Sequence, residues 1–213
     1  MAKVTAPLLS FNAGGAIAKT QVYAKWKGIP YARRYVIPAN PQSTEQTKTR
    51  SVFTTLTQMW KNFNSDAAAP WAAFASGKPL TDRNAFLKFN VASLRPGSDW
   101  ADFVGSPSAG GGVALTAFSA SGGSGTISTT VTAPTPPTGW TLTAVVAIAR
   151  KNDDPHTTTD YSVSVNKATS TPWQPAFSSM AAGNYEVSAW PVWTTDTGAL
   201  AYGASSIHAA TVT

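Results

Sequence analysis

The stretch Trp140-Thr141-Leu142-Thr143-Ala144-Val145-Val146-Ala147-Ile148 sets the reading of the C-terminal half. Trp140, Leu142, Ala144, Val146 and Ile148 fall on alternate positions. A period of two puts them on one face of a β-strand. Tyr161, Val163 and Val165 repeat the pattern around Ser162 and Ser164, and Tyr185, Val187 and Ala189 repeat it around Glu186 and Ser188. Further strand candidates lie at 113–119, 125–132, 199–204 and 206–212. So many short strands separated by turn residues predict an all-β sandwich over 113–213.

Moving outward, the composition changes at Val104 to Gly112, which contains Ser106-Pro107-Ser108-Ala109-Gly110-Gly111-Gly112. Its small residues predict a Gly/Ser linker at 106–112. From 106 onward there are 19 Thr and 14 Ser, and only three Lys or Arg. Residues 113–213 are accordingly expected to fold alone. Residues 1–105 are expected to form a separate α+β region, a β-hairpin plus about three short helices. The hairpin runs from Ala16 to Trp26 and back from Ile29 to Ile37. Gly28 supplies the positive φ its tight turn needs. Pro38 and Pro41 exclude a helix interior at that point. Ser43 or Thr44 then caps a helix reaching about Phe63, with Val52, Leu56, Met59 and Phe63 as its apolar stripe. A short helix follows with Trp71 and Phe74, and Pro70 near its start. Thr81 caps a third helix with Phe86, Leu87, Val91 and Leu94, ending at Arg95-Pro96-Gly97.

Composition narrows the chemistry. Charged residues are 12% of the chain, about half the usual share of roughly 25%. Such a surface suits a protein partly buried in an assembly better than a free monomer. The absence of Cys excludes disulfides, thiol catalysis and Cys-based metal sites. No apolar run reaches the ~18–20 residues that span a bilayer. No nucleophile elbow, P-loop, dinucleotide fingerprint or His-Glu-x-x-His occurs. His208 reads as an ordinary strand residue. Asp153, Asp154 and His156, with Asp160, form the densest polar cluster. They read as a long turn rather than a calcium loop, because calcium takes six or more oxygens. Trp173, Trp190 and Trp193 admit a sugar-binding surface but fit a core or interface better. The expectation is a non-enzymatic protein with no catalytic residues, no cofactor and no metal.

Charge is uneven. Residues 1–105 carry 13 Lys/Arg and 5 Asp/Glu, whereas 106–213 carry 3 and 5. The basic hairpin interleaves Trp26, Tyr31 and Tyr35 with Lys25, Arg33 and Arg34. Such a surface could stack bases and pair phosphates. It could equally anchor a protein interface, where Trp, Tyr and Arg dominate binding energy. Without an accompanying nucleic-acid motif the protein interface is the favoured reading.

Two resemblances extend this. Gly183-Asn184-Tyr185-Glu186-Val187-Ser188-Ala189 resembles the penultimate strand of fibronectin type III and immunoglobulin-like modules, where a Tyr tucks its hydroxyl against the preceding corner. That resemblance implies a core-aromatic role for Trp140. The run Trp26 to Arg34, then Val36 to Ser43, then Gln46 and Arg50, is similar to an N-terminal pattern of virion proteins of tailed phages and prophages. That family implies a minor capsid or decoration protein, or a tail, baseplate or fibre-attachment component, made in the host cytoplasm and carried on the virion. It implies an assembly interface of Trp26, Tyr31, Arg33, Arg34, Tyr35, Arg50 and Trp60. The implied partners are the major capsid protein or other virion proteins. Further expectations are homo-oligomers, weak contact with the host surface and no membrane partner, with a nucleic-acid-binding protein as the further, less favoured alternative.

Overall fold

The computed structural model describes residues 2–3, 14–37, 39–94, 100–152 and 163–213. The architecture is α+β, with three helices and antiparallel sheets. The chain divides into two compact units, Met1–Gln42 and Ser43–Thr213.

The first unit is one sheet of four strands, β1 (Ala2–Lys3), β2 (Gly15–Ile17), β3 (Gln21–Trp26) and β4 (Ile29–Arg34), in the order β1-β4-β3-β2. The β3–β4 hairpin closes on the pair Trp26 and Ile29. Lys27 and Gly28 form the two-residue turn, both with positive φ (47° and 82°). That is the turn whose twist matches the flanking strands. The expected single arm from Ala16 to Trp26 is broken at residues 18–20. Ala18 and Lys19 take positive φ there, and the Thr20 amide and hydroxyl both donate to the Ile17 carbonyl at 2.9 Å. No glycine marks this turn, so the sequence does not advertise it.

The second unit opens with α1 (Thr44–Lys61), α2 (Ser65–Ala75) and α3 (Asp82–Leu94). Val52, Leu56 and Met59 face the core as their spacing predicts. The Ser43 hydroxyl makes no cap. Asn64 does cap α2, accepting from the Ala67 amide at 2.9 Å, and Thr81 accepts from the Asn84 amide at 3.2 Å. Pro70 lies in the middle of α2 rather than near its start, and it is buried. Trp60, Phe63, Trp71, Phe86 and Phe103 interlock with ring centroids 5.1–6.0 Å apart. Edge-on and tilted pairs of this kind add to plain area burial. Arg95-Pro96-Gly97 lies outside the described residues.

Two sheets follow. One has three strands, β5 (Ala117–Gly123), β6 (Thr126–Thr132) and β9 (Phe177–Ser178). The other has five: β7 (Thr141–Lys151), β8 (Val163–Ala168), β10 (Gly183–Thr194), β11 (Leu200–Tyr202) and β12 (Ser206–Val212). On β10, β7 pairs along one edge, while β12 and β11 pair along the other. The two sheets share a core: Ala120, Ile127 and Phe177 from the smaller pack with Val145, Ala147, Ala149, Val187 and Ala189 from the larger.

The larger sheet is buried on both faces, which alternation alone does not predict. Ala144, Val146, Ile148, Trp190 and Val192 pack away from the smaller sheet, against Ala67, Phe63 and Phe74 of the helical layer. The run Ala144 to Ala149 is apolar throughout, as a strand covered on both sides should be. Trp140 precedes β7, is half-buried, and belongs to none of the apolar clusters.

The stretch expected to be a linker is a packed seam. Asn90 is fully buried and holds residue 104: its amide donates to the Val104 carbonyl at 3.0 Å, and its oxygen accepts from the Val104 amide at 2.8 Å. Trp71 Nε1 donates to the Gly105 carbonyl at 3.1 Å, and the Ser106 hydroxyl donates to the Gly203 carbonyl at 2.9 Å. Ala109 and Tyr202 exchange both backbone hydrogen bonds. A side chain on Gly112 would stand 2.3 Å from the Tyr202 carbonyl carbon. The small residues that suggested flexibility are there for close backbone approach. The division at 106–112 is therefore replaced by one at 42/43, and the helices and the three- and five-stranded sheets form one unit.

Candidate docking surface

Strand parity decides what the hairpin presents. Cross-strand partners share a face, and neighbours along a strand do not. The pairs Val22 with Arg33, Ala24 with Tyr31, and Trp26 with Ile29 therefore line one face. The pairs Gln21 with Arg34, Tyr23 with Ala32, and Lys25 with Pro30 line the other. Of the expected interface residues, Trp26, Tyr31 and Arg33 are brought together. Arg34 is carried to the opposite face, which it shares with Lys25 at the other end. Tyr35 follows β4, is half-buried, and its amide donates to the Thr20 carbonyl at 2.8 Å.

The first face is largely apolar and is open at the hairpin tip, while Val22, Ala24 and Tyr31 are half-buried. Trp26 is 65% exposed and Ile29 43%. Lys27 Nζ stands 5.1 Å from the Trp26 ring centroid, a cation–π contact at the hairpin tip. Beyond β4, Val36 and Ile37 are 63% and 76% exposed. Among the described residues of this unit only Ala32 is buried. Large apolar groups clustered in the open mark surfaces that meet something.

Arg50 and Trp60 belong to the second unit. Arg50 is exposed on α1. Trp60 is half-buried and its ring lies 5.4 Å from Phe63 and 5.3 Å from Phe86, so it serves the core of its own unit. Phe53, which flanks the apolar stripe of α1, is 48% exposed. With Leu87, Lys88, Val91 and Ala92 it borders a shallow groove of about 530 Å³ between α1 and α3.

The other candidate chemistry fares differently. Trp190 and Trp193 are fully buried, so neither offers a face to a sugar, and Trp193 Nε1 donates to the Val113 carbonyl at 2.8 Å. His208 is an exposed residue of β12, with Nδ1 2.8 Å from the Ala209 carbonyl oxygen. The Asp153, Asp154, His156 and Asp160 cluster lies outside the described residues. Among the described residues no group of three or more His, Cys, Asp or Glu is placed to hold a metal. Among them, too, no helix is long and apolar enough to cross a membrane. Arg150, opposite Glu186 on the helical side of the larger sheet, is buried. Its guanidinium donates to the Trp100 carbonyl at 2.7 Å and lies 4.1 Å from the Phe103 ring centroid. This arrangement ties residues 100–103 to β7.

No family model matches the chain, and no curated protein matches it.

Proposed function

We propose that the chain is a non-enzymatic structural component of a tailed-phage particle, a minor capsid or decoration protein that docks through its N-terminal region. The observation that carries this is the character of Met1–Gln42. That unit holds six Lys or Arg and no Asp or Glu, whereas residues 43–213 hold ten of each, so it carries the whole net charge of +6. It also leaves Trp26, Ile29, Val36 and Ile37 in the open. A unit of this size without Cys has little core of its own, and a bound surface would supply the missing burial. Binding only the assembled lattice would stabilise that lattice by mass action.

The finer fold reading, an immunoglobulin- or fibronectin-III-like sandwich, belongs to the same proposal. It is supported by two antiparallel sheets over one core and by Tyr185, whose hydroxyl donates to the Ala181 carbonyl at 2.8 Å. A Tyr bonded to the backbone a few residues upstream is a hallmark of such corners.

The test is to locate the chain on purified virions with a gold-labelled antibody raised against residues 43–213. Label over the head is the expected result. Label restricted to the tail would move the protein to a tail, baseplate or fibre-attachment role. Absence from particles would overturn the virion reading altogether.

A further inference from the structure

Resting on that reading, we infer that only one face of the hairpin docks, and that it docks on an acidic protein surface containing an apolar pocket. The docking face is the one built by Val22, Ala24, Trp26, Ile29, Tyr31 and Arg33. Its apolar end is the closing pair of the hairpin, Trp26 and Ile29, the most exposed part of that face. Arg33 stands two pairs away, opposite Val22. The face thus carries a hydrophobic anchor at one end and a guanidinium at the other, with Tyr31 between them, residue types from which binding hot spots are made.

Charge selects the occupant. The first 42 residues contain no carboxylate side chain. A guanidinium taken out of water without a partner charge is strongly unfavourable. Residues 1–42 supply no carboxylate to meet Arg33, and an acidic bound surface would supply one. A second copy of the hairpin brings the same cations, and like charges set against each other oppose association.

The aliphatic share of this face favours a protein over a nucleic acid. A nucleic-acid groove tracks a run of phosphates with several cations beside its stacking rings. Here the strand cations are divided between the faces. Arg33 lies with the rings, Lys27 stands at the Trp26 ring at the tip, and Lys25 and Arg34 lie on the far side. Each pair on the ring-bearing face sets one aliphatic residue, Val22, Ala24 or Ile29, opposite Arg33, Tyr31 or Trp26. Aliphatic groups fill a pocket, whereas they offer bases no stacking platform.

The test uses the full chain in cells producing the particle. A photo-crosslinking benzoylphenylalanine replaces Ile29 on the proposed face, or Lys25 on the opposite face. The purified chain is separately titrated with single-stranded oligo-dT. Crosslinks from position 29 are expected to a virion protein, at peptides containing Asp or Glu, and not from position 25. Arg33→Ala should cut that crosslink about tenfold, the effect of losing one hot-spot contact. Arg34→Ala should leave it within about twofold, as a residue outside the contact does. Arg33→Lys should recover part of the yield, which separates loss of charge from loss of folding. Equal crosslinking from both faces would overturn the one-face inference while the virion reading stands. Particles that carry the chain but give no crosslink from either face would have the same meaning. Crosslinking to nucleic acid, or tight oligo-dT binding weakened equally by both Arg variants, would replace the protein partner. Absence from particles together with absence of crosslinks would remove both proposals.

Discussion

The two units of this chain solve opposite problems. Residues 43–213 balance ten cations with ten acids, bury three apolar clusters, and tie their layers with Asn90, Trp71 and Arg150. Residues 1–42 carry six cations and no acid, and place Trp26 and Ile29 in the open. The first arrangement obtains its stability from its own contacts. The second leaves its most energetic groups unspent inside the chain. Side chains of the same kinds thus read differently by position: Trp71 and Trp190 are fully buried, and Trp26 is 65% exposed.

The strongest way to break this comparison is to cut the larger unit. A fragment of residues 113–213 lacks the helices that cover Ala144, Val146, Ile148, Trp190 and Val192. It is expected to lose cooperative unfolding and near-UV dichroism, and to bind hydrophobic dye as loosely packed states do. The fragment 43–213 should keep the full chain's urea midpoint. Cooperative unfolding of 113–213 would restore the division at 106–112. Next in size is Trp71→Ala, which empties the centre of the aromatic cluster and leaves the Gly105 carbonyl without its donor. Loss of about 3–5 kcal/mol is expected from urea denaturation. Gly112→Ala follows. The new methyl meets the Tyr202 backbone, which cannot rotate away. Overpacking of this kind costs about 1–3 kcal/mol, and an unchanged midpoint would mean the seam is loose.

These same residues explain what was legible beforehand. Helices α1 to α3 were readable because their apolar residues recur at helical spacing and Asn64 and Thr81 are caps. The Lys27-Gly28 turn was readable because Gly28 is the residue such turns require. The seam was not: Ser106 to Gly112 has the composition of a linker, and composition does not tell a glycine needed for motion from one needed for close approach. Nor was the second cover on β7 foreseen, although Ala144 to Ala149 is apolar at every position. On the candidate surface, Trp26, Tyr31 and Arg33 were identifiable by type. Their separation from Arg34 depended on register, which fixes the face only once the turn is known. Trp60 is half-buried against Phe63 and Phe86, and in sequence an aromatic on an amphipathic helix looks alike whether it serves a core or a partner.

A smaller effect concerns pH. Burial, and then the nearby Asp66 carboxylate, raises the Tyr202 phenol above its ordinary value. The unfolded chain therefore loses this proton first as pH rises, near 10. Above that point the folded state binds more protons than the unfolded one, so stability falls with pH. Tyr202→Phe should flatten this alkaline decline relative to the parent, measured as urea midpoints from pH 9 to 11. A decline of unchanged steepness would assign it to other groups.

The smallest expected effect tests the other side of the comparison. Trp26→Ala removes the largest exposed side chain of the hairpin, yet the unfolding midpoint should move by less than about 0.5 kcal/mol, as for surface positions generally. Truncating a buried Trp is costly because neighbouring atoms lose contacts they cannot replace. Trp26 has the Lys27 ammonium above its ring and otherwise faces outward, so the folded chain forfeits little. A loss above 1 kcal/mol would show that the ring is already covered by its own chain. The hairpin would then be part of the folded core rather than a surface held in reserve for a partner. An unchanged midpoint combined with a lost crosslink from position 29 would assign the energy of Trp26 to binding.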